Sequence, residues 1–364
     1  MFEPPPDWWD PYSCQPHKLQ AESKSRVGLG HLVEYAKVSG TAVAGALPLL
    51  LKYISLKKQD RGLSAEKFVG LSVSPCPGHD QQLVEMVSEL GVKNLLVRIP
   101  CWESHRVGDY VRWMQKFDGC RFVVNILQNR DSVQNGATWK RQLKEIFEGI
   151  KDSDNCEAVW IANAVNRTKW GCSSTRDYLE LQAVAEEFRS SELKILGSSV
   201  IDFEPLPAWR TAFNFADYHL DAVAAELYVN RRHSPWNTQF GVFNLENKLR
   251  LFKAIANLGN RCSDELWITE TNWPLLDTKP YTPNSGHPSR TVDEVTQAEY
   301  LKLYYQIAWH SGWVERVYWW QLVNPGYGLV DNRRDQFRKM PSYNAFKQIM
   351  SGALQDNPQQ PDSA

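Results

Sequence analysis

The stretch Glu265-Leu266-Trp267-Ile268-Thr269-Glu270-Thr271-Asn272-Trp273-Pro274 decides how the rest of the chain is read. Its apolar run favours extended backbone, and Asn-Trp-Pro then breaks the regular structure. The pattern predicts a buried strand that delivers the carboxylate of Glu270 where the strand runs out. A second stretch, Val317-Tyr318-Trp319-Trp320-Gln321-Leu322, predicts another strand that carries large aromatics to its C-terminal end. Taken alone, Glu270 is more readily explained as a helix cap or as the partner of a structural arginine. Its meaning therefore depends on the remaining segments.

Working outward, the same alternation recurs along the chain. Apolar strands are predicted at 68–74, 93–100, 121–127, 156–163, 193–201, 220–229, 266–270 and 314–322, with amphipathic helices at 80–90, 139–150, 245–258 and 342–350 among the segments between and after them. Strands alternating with helices imply a parallel sheet. About eight such units without a change of composition predict an α/β fold, a closed (β/α)8 TIM barrel over residues 61–353. An open doubly wound sheet would place a glycine-rich phosphate loop after its first strand, and Ser74-Pro75-Cys76-Pro77-Gly78 lacks the G-x-G-x-x-G pattern.

Residues 1–60 form a separate regime. Residues 1–27 are proline-rich and polar and predict an extended arm, followed by a helix over 27–55. Residues 38–51 are uncharged and mostly apolar, and Lys52, Lys57 and Lys58 follow. A transmembrane helix needs ~20 apolar residues, and Pro48 interrupts this run. Two uses remain: a helix covering the bottom of the barrel, which is the favoured reading, or a peripheral membrane contact through residues 38–58. The polar residues 354–364 predict a disordered tail.

Composition narrows the function. Forty-one Lys and Arg against 42 Asp and Glu leave no basic footprint for nucleic acid. Seven Cys without a Cys-x-x-Cys pair point to a reducing compartment, and the acidic, proline-rich opening Met1-Phe2-Glu3-Pro4 is no secretory signal. A cytoplasmic location, at the inner face of a membrane if residues 38–58 make that contact, is the expectation. With no phosphate loop and no metal-type His cluster, no cofactor is expected. Fifteen Trp in an aromatic content of 12% exceed what core filling requires, and aromatic faces suit pyranose rings.

The polar and aromatic residues collect after the strands. Arg98, Trp102, Glu103, Asn129, Asn163, Asn166, Lys169, Trp170, Asp202, Glu204, Tyr228, Trp236, Glu270, Trp273 and Trp320 all lie at or just past predicted strand exits. In a barrel those exits share one rim.

This arrangement resembles the retaining glycoside hydrolases of clan A over about residues 67–352. The resemblance implies that Glu270, in Trp-Ile-Thr-Glu-Thr-Asn-Trp-Pro, is the nucleophile on the seventh strand. It also implies that Arg98 on the second strand, Tyr228 near the end of the sixth and Trp320 or Trp319 on the eighth surround it. The sequence departs from the clan at the fourth strand. Where the clan has Asn-Glu, the Glu being the acid/base, this chain has Asn163-Ala164.

Three expectations follow. Another carboxyl, Asp202, Glu204, Glu226 or Glu103, takes over the proton transfer, although a structural pairing of Glu226 with Arg98 is favoured over a catalytic role for it. Alternatively, the leaving group needs no enzyme acid, or the barrel binds a saccharide without cleaving it. Asn163 is expected at a sugar hydroxyl, and Trp102, Trp170, Trp273 and Trp320 around the ring. Asn166, Arg167 and Lys169 form a basic, amide-rich patch that suits a carboxylate or phosphate on the substrate. The leading expectation is a glycosidase or transglycosidase acting on a β-linked or anionic saccharide. The competing one is a catalytically silent carbohydrate-binding barrel associated with glycan assembly.

Overall fold

A computed structural model describes residues 1–18, 29–60, 62–282, 291–334 and 336–358. Eight parallel strands close into a barrel: β1 Val69–Ser72, β2 Asn94–Pro100, β3 Arg121–Leu127, β4 Cys156–Ile161, β5 Lys194–Ile201, β6 Ala222–Glu226, β7 Leu266–Thr271 and β8 Arg316–Trp319. Val317 of β8 pairs with both Val69 of β1 and Ile268 of β7, which shuts the sheet. The helices used below are α1 Leu29–Ser55, α2 Pro205–Ala212, α3 Leu245–Leu258 and α4 Glu294–Ser311. The predicted (β/α)8 barrel is thus the observed architecture. Strands β6 and β8 are shorter than their apolar runs because the barrel wall ends before the aromatic residues do.

Side chains alternate across the wall with period two. Leu96, Val123, Ala158, Trp160, Leu196, Ala222, Ala224, Trp267 and Tyr318 fill the interior. Their neighbours Leu95, Val97, Val124, Val159, Ile161, Val223 and Ile268 pack outward beneath the helices. Two separate cores result, and polar groups that follow the interior set reach the mouth.

One irregularity aims the functional side chain. Val317 faces Ile268 across the β7–β8 ladder, yet Trp319 faces Thr271, so β7 holds one residue more than β8 over this interval. Simple alternation from the inward Trp267 would point Glu270 under the helices. The bulge reverses that parity, and Glu270 turns to the cavity at the mouth.

Helix α1 does not cover the barrel floor. It lies on the outer wall against α2 and α3. The Glu34 carboxylate meets the buried Arg210 guanidinium at 2.9 Å, and the Trp209 indole N–H donates to the carbonyl of Thr41 at 2.8 Å. At Gly45 a Cβ would stand 2.6 Å from the Trp209 ring, so the close approach needs glycine there. The predicted tail begins too early, because Leu354 is buried with the core in a short 3-10 turn, Ala353–Gln355; residues 359–364 lie outside the described residues.

The arm is ordered over residues 1–18. Its two-residue strands Trp9–Asp10 and Gln15–Pro16 pair as a small ribbon beside the mouth. Trp9 packs with Leu127, Ala164 and Trp170, which makes the arm part of the barrel's upper layer.

Candidate active site

Glu270 sits at the centre of a buried polar cluster. One of its oxygens, Oε2, accepts from the Arg98 guanidinium at 2.6 Å, and the other, Oε1, accepts from the Tyr228 hydroxyl. Both Arg98 and Glu270 are more than nine-tenths buried, so the pair is little screened by water. Arg98 also donates to Asn163 Oδ1 at 3.1 Å and to the carbonyl of Cys14 at 3.2 Å. Its guanidinium lies 3.5 Å over the Trp320 ring, a stacked geometry that lysine would not reproduce.

The surroundings hold these groups in place. Asn163 and Gln128 exchange hydrogen bonds, Asn163 N–H to Gln128 Oε1 at 2.9 Å and Gln128 Nε2 to the Asn163 carbonyl at 2.8 Å. Burial, reinforced by Glu270, raises the Tyr228 phenol well above its ordinary range and keeps it a donor. Arg232 lies 3.3 Å over the Tyr228 ring, and Lys248 donates to the Tyr228 carbonyl at 3.1 Å. Desolvation lowers the Lys248 ammonium to about 8.

Glu226 is the second acidic group at the centre. It is fully buried at the end of β6, and its Oε1 accepts from the backbone N–H of Ala164 at 2.6 Å, while Oε2 has no hydrogen-bond partner among the described residues. The expected pairing with Arg98 is not formed, because Arg98 is committed to Glu270, Asn163 and Cys14. Burial first, and then the nearby Glu270, push the Glu226 carboxyl well above the carboxylate range. Ala164 itself has φ +45, a left-handed conformation unfavourable for a residue with a Cβ. Its N–H is thereby turned toward Glu226.

Glu270, Arg98, Asn163 and Tyr228 floor a cavity of about 500 Å³, a size suited to a small ligand. Arg98, Asn163, Lys169, Trp170, Tyr228, Glu270 and Trp320 line it, together with Asp202 and Glu204. Both of those carboxylates turn to Arg167, at 2.7 Å and 2.6 Å, rather than to Glu270. Lys169 donates to the side-chain oxygen of Gln15, and desolvation lowers its ammonium to about 8.

Four expected contributors fall elsewhere. Trp273 is fully buried behind the wall, stacked on Trp319 at 6.0 Å, with its indole N–H on the His233 carbonyl. Trp102 packs beneath the arm against Trp8 and Trp9, at 4.8 Å and 5.4 Å. Asn166 bridges the backbone of Ile201 in both directions, at 2.9 Å and 3.0 Å, a structural clamp. Glu103 accepts from the Tyr110 hydroxyl and the Phe2 N–H, away from the cavity lining.

The reading of the sequence missed Ser13, Cys14 and Gln15, which wall the cavity from the arm, as well as Arg232, Asn272 and Tyr327. The Tyr327 hydroxyl donates to the Ser13 carbonyl at 2.9 Å and the Asn324 amide to the Tyr12 carbonyl at 3.2 Å, fastening the arm. Among the described residues no group of three or more His, Cys, Asp or Glu is placed to hold a metal ion.

The solved structures that share this parallel barrel include glycoside hydrolases. A family 39 glycoside hydrolase from Bacteroides cellulosilyticus WH2 superposes with a TM-score of 0.59 and 15% identity, over 81% of this chain and 65% of that one. The Thermotoga maritima β-glucosidase in complex with azafagomine gives 0.57 and 13%, over 82% and 99%. Saccharomyces cerevisiae Gas2p in complex with laminaripentaose gives 0.51 and 14%, over 85% and 72%. The chain therefore spans just under two thirds of the first of these structures. At such identities the likeness is one of fold. No family model and no curated protein matches the sequence.

Proposed function

We propose that the protein is a glycosidase or transglycosidase of the retaining type, with Glu270 as nucleophile. The observation that carries this reading is the clamp on Glu270, in which a buried guanidinium and a phenol each bind one carboxylate oxygen at the floor of the cavity. Such a carboxylate is held in one orientation, as attack on an anomeric carbon requires. The C–O bond to the leaving group breaks as the Glu270–sugar bond forms, and the electron pair goes to the leaving oxygen. Glu226, beside Ala164, supplies the proton, then recovers one from the water or hydroxyl that displaces Glu270. Trp320 and Trp170 offer ring faces to the sugar.

The cavity also favours an anionic saccharide. Arg98 is balanced by Glu270, and Arg167 by Asp202 and Glu204. Lys169 and Arg232 line the cavity without a salt bridge to a carboxylate among the described residues. A phosphate or carboxylate on the substrate would satisfy both.

The test is trapping with activated 2-fluoro-glycosides, followed by peptide mapping. An adduct on Glu270 is expected; turnover of the parent glycoside without any adduct on Glu270 refutes the nucleophile.

A second reading, a barrel that binds saccharide without cleaving it, draws on one observation: Glu226 lies just behind the cavity wall rather than in its lining. Aryl glycosides with good leaving groups separate the two. Slow cleavage supports the enzyme, and saturable binding without cleavage supports the silent barrel.

A further inference from the structure

Helix α1 is built inside out for a helix in water. Its wall-facing stripe, Glu34, Val38, Thr41, Gly45, Leu49 and Lys52, holds the helix's acidic group and a lysine. The opposite stripe, Val43, Leu47, Leu50 and Ile54, follows the 4-3-4 spacing of one helical face and is more than half exposed throughout, Val43 to 78%. Between Val43 and Leu51 every exposed residue is Val, Ala, Leu or Pro. A soluble surface rarely leaves so long a hydrocarbon face open, and a protein partner would need polar groups on it to fix a register.

The two ends of the stripe differ from its middle. Tyr35 and Lys37 are exposed at one end. At the other, Lys52 and Lys57 line a second cavity of about 290 Å³ together with Lys253, Asp264 and Trp313. Lys253 already meets Glu315 at 3.4 Å, whereas Lys52 and Lys57 form no salt bridge among the described residues. Gly312 and Trp313 precede β8, and Asp264 precedes β7, so this basic cavity lies at the end of the barrel opposite Glu270.

We infer that α1 lies in the surface plane of a bilayer containing anionic phospholipid, with Val43, Leu47, Leu50 and Ile54 in the acyl boundary and Lys52 and Lys57 at a headgroup phosphate. Hydrocarbon flanked by tyrosine and lysine is the pattern of an interfacial helix. The Glu34–Arg210 pair and the Trp209–Thr41 hydrogen bond keep the other face on the barrel, which sets the helix flat against the membrane rather than across it. The catalytic mouth then stays open to solvent.

The test is flotation of the full chain with vesicles of phosphatidylcholine, alone or mixed with phosphatidylglycerol. The expected result is binding to the anionic vesicles roughly 10-fold or more above the neutral ones, falling with salt, since each lysine near the surface contributes several-fold. Leu47→Gln with Leu50→Gln abolishes binding to both. Lys52→Gln with Lys57→Gln removes only the anionic preference. All four side chains are on the open face or the rim of the second cavity, and circular dichroism confirms that the variants are folded. Equal binding to both vesicle types overturns the headgroup assignment. Failure to bind either overturns the bilayer, and so does self-association that the leucine variant disrupts, which would make the stripe a contact between copies. None of these outcomes bears on Glu270.

Discussion

Replacing Arg98 by Met isolates the interaction on which the site is built. The substitution keeps most of the side-chain volume and leaves the Glu270 carboxylate, 7% exposed, without its cation. Removing one partner of a buried pair costs ~3–5 kcal/mol, because the remaining charge is stranded. Lost hydrogen bonds to Asn163 and Cys14 add ~1 kcal/mol each, and the stacking over Trp320 up to ~2. These last contributions do not involve Glu270, so a double-mutant cycle with Glu270→Gln removes them. Urea unfolding of the wild type, both single variants and the double variant is the assay. Arg98→Met should be the most damaging single change, and the double variant should be less destabilised than the sum of the singles by ~2–3 kcal/mol. A coupling below ~0.5 kcal/mol, the level of independent sites, would show that Arg98 does not hold Glu270 and would remove the basis for its proposed role.

Further expectations follow from the same cluster. Glu226 binds its proton more tightly folded than unfolded, so wild-type stability falls as pH rises from the unfolded carboxyl value of ~4.3 through the folded value, by up to ~1.4 kcal/mol per pH unit. Glu226→Gln should therefore become more stable than wild type toward neutral pH and should lose ~10²–10⁴ in rate on substrates with poor leaving groups; unfolding at two pH values and a leaving-group series check both. Tyr228→Phe removes the hydroxyl from Glu270 and should lower the rate by ~10-fold or more, one to two hydrogen-bond energies, with little change in fold by circular dichroism. Lys169, lowered to about 8 by burial, is a cation below that pH and neutral above it. KM for an anionic glycoside should rise as pH passes about 8 in the wild type, while Lys169→Met should show a higher KM without that rise.

How far the sequence reached depends on which physical signal each part carried. The strands were legible because a barrel wall buried on both faces needs continuous apolar runs, and β3 runs from Arg121 to Leu127 as its apolar run predicts. Arg98, Tyr228, Glu270 and Trp320 were marked by rare residue types at strand exits, and the structure brings them to one cavity. Trp273 looked the same in sequence but lies behind the wall, because the bulge that turns Glu270 inward reverses the side on which its neighbours fall. The arm residues carried no periodicity, and their contribution comes largely from backbone carbonyls, which no side-chain pattern reveals. Helix α1 was legible as a helix but not in its position, since its inward face is the more polar one.

The ribbon at Trp9–Asp10 and Gln15–Pro16 has a practical corollary for anyone preparing this protein. The Cys14 carbonyl anchors Arg98, the Gln15 amide receives Lys169, and Trp9 seats against Trp170. Trimming the first 18 residues as a dispensable leader would unwall the cleft and loosen the arginine. Inactivity of such a shortened version would say nothing about the chain that keeps its arm, and screens for substrates should retain these residues.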